Sequence, residues 1–263
     1  MTAHLLAYSR IFPSGLLSWV GGDLTRTSWR QLGDDTRGPL GIPALKARWF
    51  FDQPHPKFGR MDPLCKIAVA ASQMLARALP DDRDEVAQVG GTMLGCLEVD
   101  AQFEQTRLAG NPSPALFVYT LPSMFQGEVA ILHKLRGRCT LLSAGPLSGL
   151  TALATAIRWV EKGRASHVLA IAADAAGAAA HALTPDNKPQ SAAAAWLLSA
   201  HGDGPTLSDA QFGAGAAGAR ELKPGDLRYG LRSVDTLEAL LLSGETGRVQ
   251  ARCDERNVSF VIG

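Results

Sequence analysis

Apolar and polar positions fall into blocks whose period changes along the chain. "AHLLAYS" (3–9) reads as a first strand. Residues 10–60 then lose the pattern. "WVGGDLTRTSW" and "RGPLGIP" are rich in Gly, Pro and Trp, and predict an irregular insertion with room for one helix, packed on by its aromatics. Periodicity returns at Asp62. Asp62 suits a helix N-cap, Pro63 suits the first turn, and Ile67, Ala70, Ala71, Met74 and Leu75 form one apolar face of a helix running to Ala78. "EVAQVGGTML" (85–94) predicts a strand ending in a turn, followed by a helix over 97–108.

An apolar connection leads to a helix over 122–135, and "RCTLLSA" to a strand. A helix over 147–162 and the continuous apolar strand "SHVLAIAAD" follow, the latter typical of a sheet buried on both faces. "SAAAAWLLSA" is another strand, 201–230 a Gly-rich loop, and 234–242 a helix; "RVQARCD" and "NVSFVIG" are terminal strands. Alternating strands and helices argue for an α/β fold, a mainly parallel mixed sheet flanked by helices, in one domain over 1–263. No internal repeat is visible.

Composition narrows the function classes. An apolar share of 46%, a charged share of 19% and a net charge of +1 give no electrostatic case for nucleic acid or an anionic membrane. The four cysteines, Cys65, Cys96, Cys139 and Cys253, lack C-x-x-C spacing and read as buried free thiols. "IFPSGLLSWV" makes a poor secretory signal, and no apolar run reaches membrane-spanning length, so a cytoplasmic location is expected.

No cofactor or metal is implied. "GAGAAG" (213–218) lacks the strand before and helix after that a dinucleotide site needs, and Pro224 follows closely. The six histidines show no ligand spacing, and His133 reads as structural or solvated. "PDDRDE" is a solvated turn. Asp174 ends a very apolar strand and is expected to tie down neighbouring loop amides.

The turn between "RCTLLSA" and the next helix carries the strongest signal. A strand entering a helix through a tight turn is where many α/β enzymes hold a nucleophile. Here the turn is Ala144-Gly145-Pro146-Leu147, with Ser143 and Ser148 as neighbours. Ser148, in the first helical turn, reads as a cap.

"YTLPSMFQGEVAILHKLRGRCTLLSAGPLSGLTALATAIRWVEKGRASHVLAIAAD" resembles the N-terminal half of β-ketoacyl synthases, of the thiolase-like superfamily. "RMDPLCKIAVAASQML" and "VGGTMLGCLE" resemble the family's earlier helix and strand-turn, so the likeness spans 58–200 in order. In active members a T-A-C-S/T-S/T-G-L turn carries the acyl-accepting cysteine. Laid on "AGPLSGL", that position is Pro146. The resemblance implies that both the thiolate and one oxyanion-hole amide are lost. It also implies a half-fold without the second half-domain's histidines, since neither H-G-T-x-T nor G-H before a Gly-rich strand occurs.

A non-catalytic, chain-length-factor-like subunit is therefore expected, paired with an active ketosynthase or with itself. Through the complex it would meet acyl carrier protein in type II polyketide, fatty-acid or aryl-polyene-like synthesis. By position, Leu94, Leu116, Phe117, Met124 and Phe125 would line the acyl tunnel, and Cys139, Leu141 and Leu142 the dimer interface. The helix over 147–162 is apolar on more than one face. It is either an ordinary core helix or one covered by the 10–60 segment or a second chain. An acyltransferase or hydrolase using Ser148, Ser143 or Cys139, and a homodimeric protein binding acyl chains or carrier protein, are the alternatives.

Overall fold

The computed structural model describes residues 2–184, 189–213, 216–222, 234–253 and 256–263. Strand β1 (Ala3–Phe12) pairs with β2 (Gly15–Val20), which pairs with β3 (Asp23–Ser28). This hairpin corrects the expectation of an irregular 10–60. Strand β3 is largely exposed, so it shows no apolar alternation; its ladder to β2 holds it, with an ion pair from Arg26 to Glu238 (3.5 Å). The rest of the segment packs as anticipated, through Trp29, Trp49, Phe50, Phe51 and Phe58.

Helix α1 (Pro63–Gln73) starts where Asp62 accepts bonds from the amides of Leu64 (2.8 Å) and Cys65 (3.3 Å). Then come β4 (Ala87–Gly91), α2 (Leu97–Leu108), a one-turn helix α3 (Pro114–Phe117), α4 (Met124–His133) and β5 (Cys139–Leu142). Helix α5 (Ser148–Glu161) leads to β6 (His167–Asp174), α6 (Ala178–Leu183) and β7 (Ala192–Ser199). The chain finishes with β8 (Thr206–Phe212), β9 (Arg220–Glu221), α7 (Val234–Ser243), β10 (Gly247–Cys253) and β11 (Arg256–Ile262). Strand β8 falls within the expected Gly-rich loop, which the structure corrects there. Part of "GAGAAG" and residues 223–233 lie outside the described residues.

The strands form one mixed sheet in the order β5-β4-β6-β7-β1-β8-β11-β10-β9. Parallel pairing joins β4 to β5 and β6, and β9 to β10. The ladders of β6–β7, β7–β1, β1–β8, β8–β11 and β11–β10 are antiparallel. The parallel share is thus narrower than the alternation predicts, because helix-containing connections lead to parallel strands at β4 to β5, β5 to β6 and β9 to β10, while the other ladders are antiparallel.

Two apolar layers explain the continuous apolar strands. Val168, Ala170 and Ala172 of β6 face the α5 layer, while Leu169, Ile171 and Ala173 face the α1 and α4 layer. Helix α5 is wrapped by its own chain. Leu147, Leu150, Leu153, Ala154, Ile157 and Val160 are all buried, against β4 and β6 and also against β8 and β11. No helix among the described residues is long and apolar enough to cross a membrane.

Candidate functional site

Strand β5 is the terminal strand of the sheet, with β4 as its neighbour. It ends at the turn singled out above. Gly145 takes a left-handed backbone (φ +60°), which turns the chain sharply enough to bring Pro146 back beside Ala144. Gly91, at the end of β4, lets the first turn of α5 approach. A Cβ there would stand 2.4 Å from the Ser148 carbonyl oxygen.

Ser148 is fully buried, and both hydrogen-bonding roles of its hydroxyl are spent on this turn. Its Oγ accepts from the Ala144 amide (2.9 Å) and donates to the Gly145 carbonyl (2.6 Å). It locks the turn rather than capping the helix amides, and its proton is committed to the Gly145 carbonyl. Ser143 is exposed. Pro146 presents neither a nucleophilic side chain nor an N–H. Arg256, at the start of β11, lies over the turn, its Nη1 3.8 Å from where a Gly145 Cβ would stand.

Cys65, Cys96 and Cys139 are not activated thiols. Burial and the neighbouring Asp100 push the Cys96 thiol up to about 12, and its Sγ donates to Asp100 and to the Thr120 carbonyl, both at 3.1 Å. Burial holds Cys65 well above the thiol range, with Asp62 reinforcing it. Cys139 is exposed, which corrects the expectation of a buried thiol; it opens an edge strand. Its pKa is raised by partial burial, the opposite of an activated thiolate. Among the described residues no group of His, Cys, Asp or Glu could hold a metal ion.

The carboxyl ends of β4 and β6 are clamped to each other. Asp174, at the end of β6, accepts at one oxygen from the Thr92 hydroxyl (2.7 Å) and the amides of Met93 (2.9 Å) and Leu94 (2.8 Å). This is the role expected from the sequence. In return Glu98 of α2 accepts from the amides of Gly177 (2.7 Å), Ala179 (3.2 Å) and Ala180 (2.9 Å), at the start of α6. Sequence reading missed Glu98, since its partners lie some 80 positions away and leave no local signature. It equally missed the buried carboxylate of Glu238 on α7, which accepts from Arg10 (2.8 Å) and Tyr8 (3.1 Å).

The tunnel candidates sit in different surroundings. Leu94 is half-buried on the clamped loop, and Leu116 is half-buried on α3. Phe117 is 61% exposed and rests against Phe103, with ring centroids 5.5 Å apart. Met124 and Phe125 turn into the α1 and α4 layer, Phe125 completely. Val118 and Leu121, in the same connection, are 52% and 60% exposed. Leu141 packs into the α1 and α4 layer and Leu142 into the α5 layer, each half-buried on the sheet edge.

No curated protein matches the chain. Among solved structures it resembles the ketosynthase (ApeO) in complex with its chain length factor (ApeC) from Xenorhabdus doucetiae, with TM-score 0.66 and 19% identity, covering 99% of both chains. The ishigamide ketosynthase/chain length factor gives TM-score 0.73 at 15% identity, covering 100% of this chain and 99% of that one. The type II acyl-carrier-protein–ketosynthase complex AntDE:AntF gives TM-score 0.72 at 12% identity, covering 99% of this chain and 98% of that one. At these identities the likeness is one of fold, and the fold is thiolase-like. Residues 36–216 match the family described as beta-ketoacyl synthase, N-terminal domain, and with more than two thirds of its length inside that match the chain belongs to this family.

Proposed function

We propose that this protein is a non-catalytic, chain-length-factor-like subunit that pairs with an active β-ketoacyl synthase and shapes the far end of its acyl tunnel. The observation that carries the reading is Pro146 at the nucleophile position of a strand-turn-helix elbow that keeps Ser148, Gly149 and Leu150 of the family's turn. Without a thiolate there, no thioester forms. Without an N–H there, a thioester oxyanion would lack one donor. The turn survives as shape, held by Gly145 and Ser148.

Three features support a partner. Solved structures of similar fold include ketosynthase/chain-length-factor complexes. The edge of β5 carries the half-buried Leu141 and Leu142, and an open strand edge is a template for another chain. Phe117, Val118 and Leu121 form an exposed apolar connection where a solvent loop would be polar. In this reading the partner is an active ketosynthase, carrier protein is met through the complex, the products are of the type II polyketide, fatty-acid or aryl-polyene kind, and the setting is cytoplasmic. Leu94, Leu116 and Phe117 face the acyl path. The chain calls on no cofactor of its own.

The test has two arms. Mixing the chain with a candidate ketosynthase should give a native mass equal to a heterodimer, and a chain that assembles only with itself refutes the pairing. An acyl-thioester probe should leave the chain's intact mass unchanged, and a stoichiometric adduct on Ser143, Ser148 or Cys139 refutes the non-catalytic role. Pro146→Cys alone should not confer condensation, because a thiol without proton-transfer partners completes only part of the site.

A further inference from the structure

A cavity of about 370 Å³ opens between the 38–45 loop, α1, α2 and the start of α6. No residue of the elbow lines it, whereas Glu98 and Gly177 of the clamp do. Leu40, Ile42, Leu45 and Ile67 make its walls apolar. Two long polar side chains, Lys66 and Gln102, line it without a hydrogen bond or ion pair of their own among the described residues. The acids nearby are already engaged. Glu98 is met by three backbone amides, and Asp62 accepts from Leu64 and Cys65.

We infer that this cavity binds a medium-chain carboxylate, its alkyl chain on the apolar walls and its head group on Lys66 and Gln102. An apolar pocket with a few convergent polar groups is the usual form of a small-ligand site. The Lys66 ammonium makes no close ion pair among the described residues and feels the Asp62 carboxylate only through space, so it can serve as a counter-charge for an anionic head. The volume accommodates a straight chain of about eight carbons with its head group. This site is independent of the subunit role proposed above.

Calorimetric titration of octanoate into the intact chain tests the inference, with octanol and acetate as partial ligands. Saturable one-to-one binding of octanoate is expected, with octanol and acetate each much weaker. Lys66→Met should weaken octanoate by about 10-fold, the loss of one charge-assisted contact. Ala178→Trp should abolish binding by filling the cavity from its rim. Ala178 is exposed, so the fold should tolerate the change, as an unaltered melting temperature would verify. Should that variant melt early, Gln102→Trp on the exposed face of α2 serves the same purpose. Absence of saturable binding, octanol binding as tightly as octanoate, or a Lys66→Met variant that binds like the parent would each overturn the assignment.

Discussion

His133 should make this protein acid-sensitive in a defined window. It closes α4 with 2% of its surface exposed, and its Nε2 lies 3.0 Å from Ser72 Oγ on α1. Ser72 donates its own proton to the Val69 carbonyl (2.9 Å), so Nε2 must be the donor to Ser72 and the ring is the neutral Nε2–H tautomer. Burial, with the Arg83 charge behind it, lowers the imidazole from 6.5 to about 4. The folded pKa is depressed, so between these values the unfolded chain binds a proton that the folded one refuses. The contribution is complete above pH 6.5 and is lost as pH falls toward 4. The slope reaches about 1.4 kcal/mol per pH unit, which gives about 2 kcal/mol lost by pH 5 and about 3 in all. Urea unfolding from pH 7.5 to 4.5 should therefore be compared between the parent and His133→Gln, whose amide can still donate to Ser72. Titrations common to both cancel, and the stability difference should bend below pH 6.5 with that slope. Parallel curves, or an imidazole NMR titration of His133 centred near 6.5, would refute the reasoning.

Ser148→Ala should destabilise the fold by about 1–3 kcal/mol in urea, since it strips the Ala144 amide of its acceptor; a change within about 0.5 kcal/mol would show that the hydroxyl does not hold the turn. Asp174→Ala leaves two loop amides and the Thr92 hydroxyl without an acceptor, and should cost about 3 kcal/mol or more by the same measurement. Leu141→Asp should abolish the heterodimer mass while the isolated chain keeps a cooperative melt, because an interface would bury an unpaired carboxylate. Phe117→Ala should leave assembly intact and change product length, read by mass spectrometry of the partnered reaction.

Elements whose signals are local were legible in the sequence. Asp62 and Pro63 gave the start of α1, and the unbroken apolar run of β6 gave a doubly buried strand. That the turn carries a proline at 146, with neither nucleophile nor N–H, is likewise a matter of one residue type. Strands β3 and β8 were not legible. "DLTRTS" is largely exposed and "TLSDAQF" only partly buried, so pairing stabilises them and leaves no apolar alternation. What covers α5 was equally hidden. The composition of α5 demands a cover, but whether that is another chain or β8 and β11 depends on long-range folding. The surroundings of Phe117 and Phe125 could not be told apart by residue type, since both are aromatic and lie eight positions apart.

The two carboxylate clamps at the ends of β4 and β6 also bear on how the chain folds. Asp174 reaches back 80 to 82 residues, and Glu98 reaches forward 79 to 82. Either clamp closes nearly the same loop, so the entropy of bringing those ends together is spent once and the second clamp forms almost free of it. The intervening segment holds α2, α3, α4, β5 and α5, including the whole elbow. The elbow therefore lies inside a loop closed by two distant acids, while its own local bonds, those of the Ser148 hydroxyl, fix the turn within that loop.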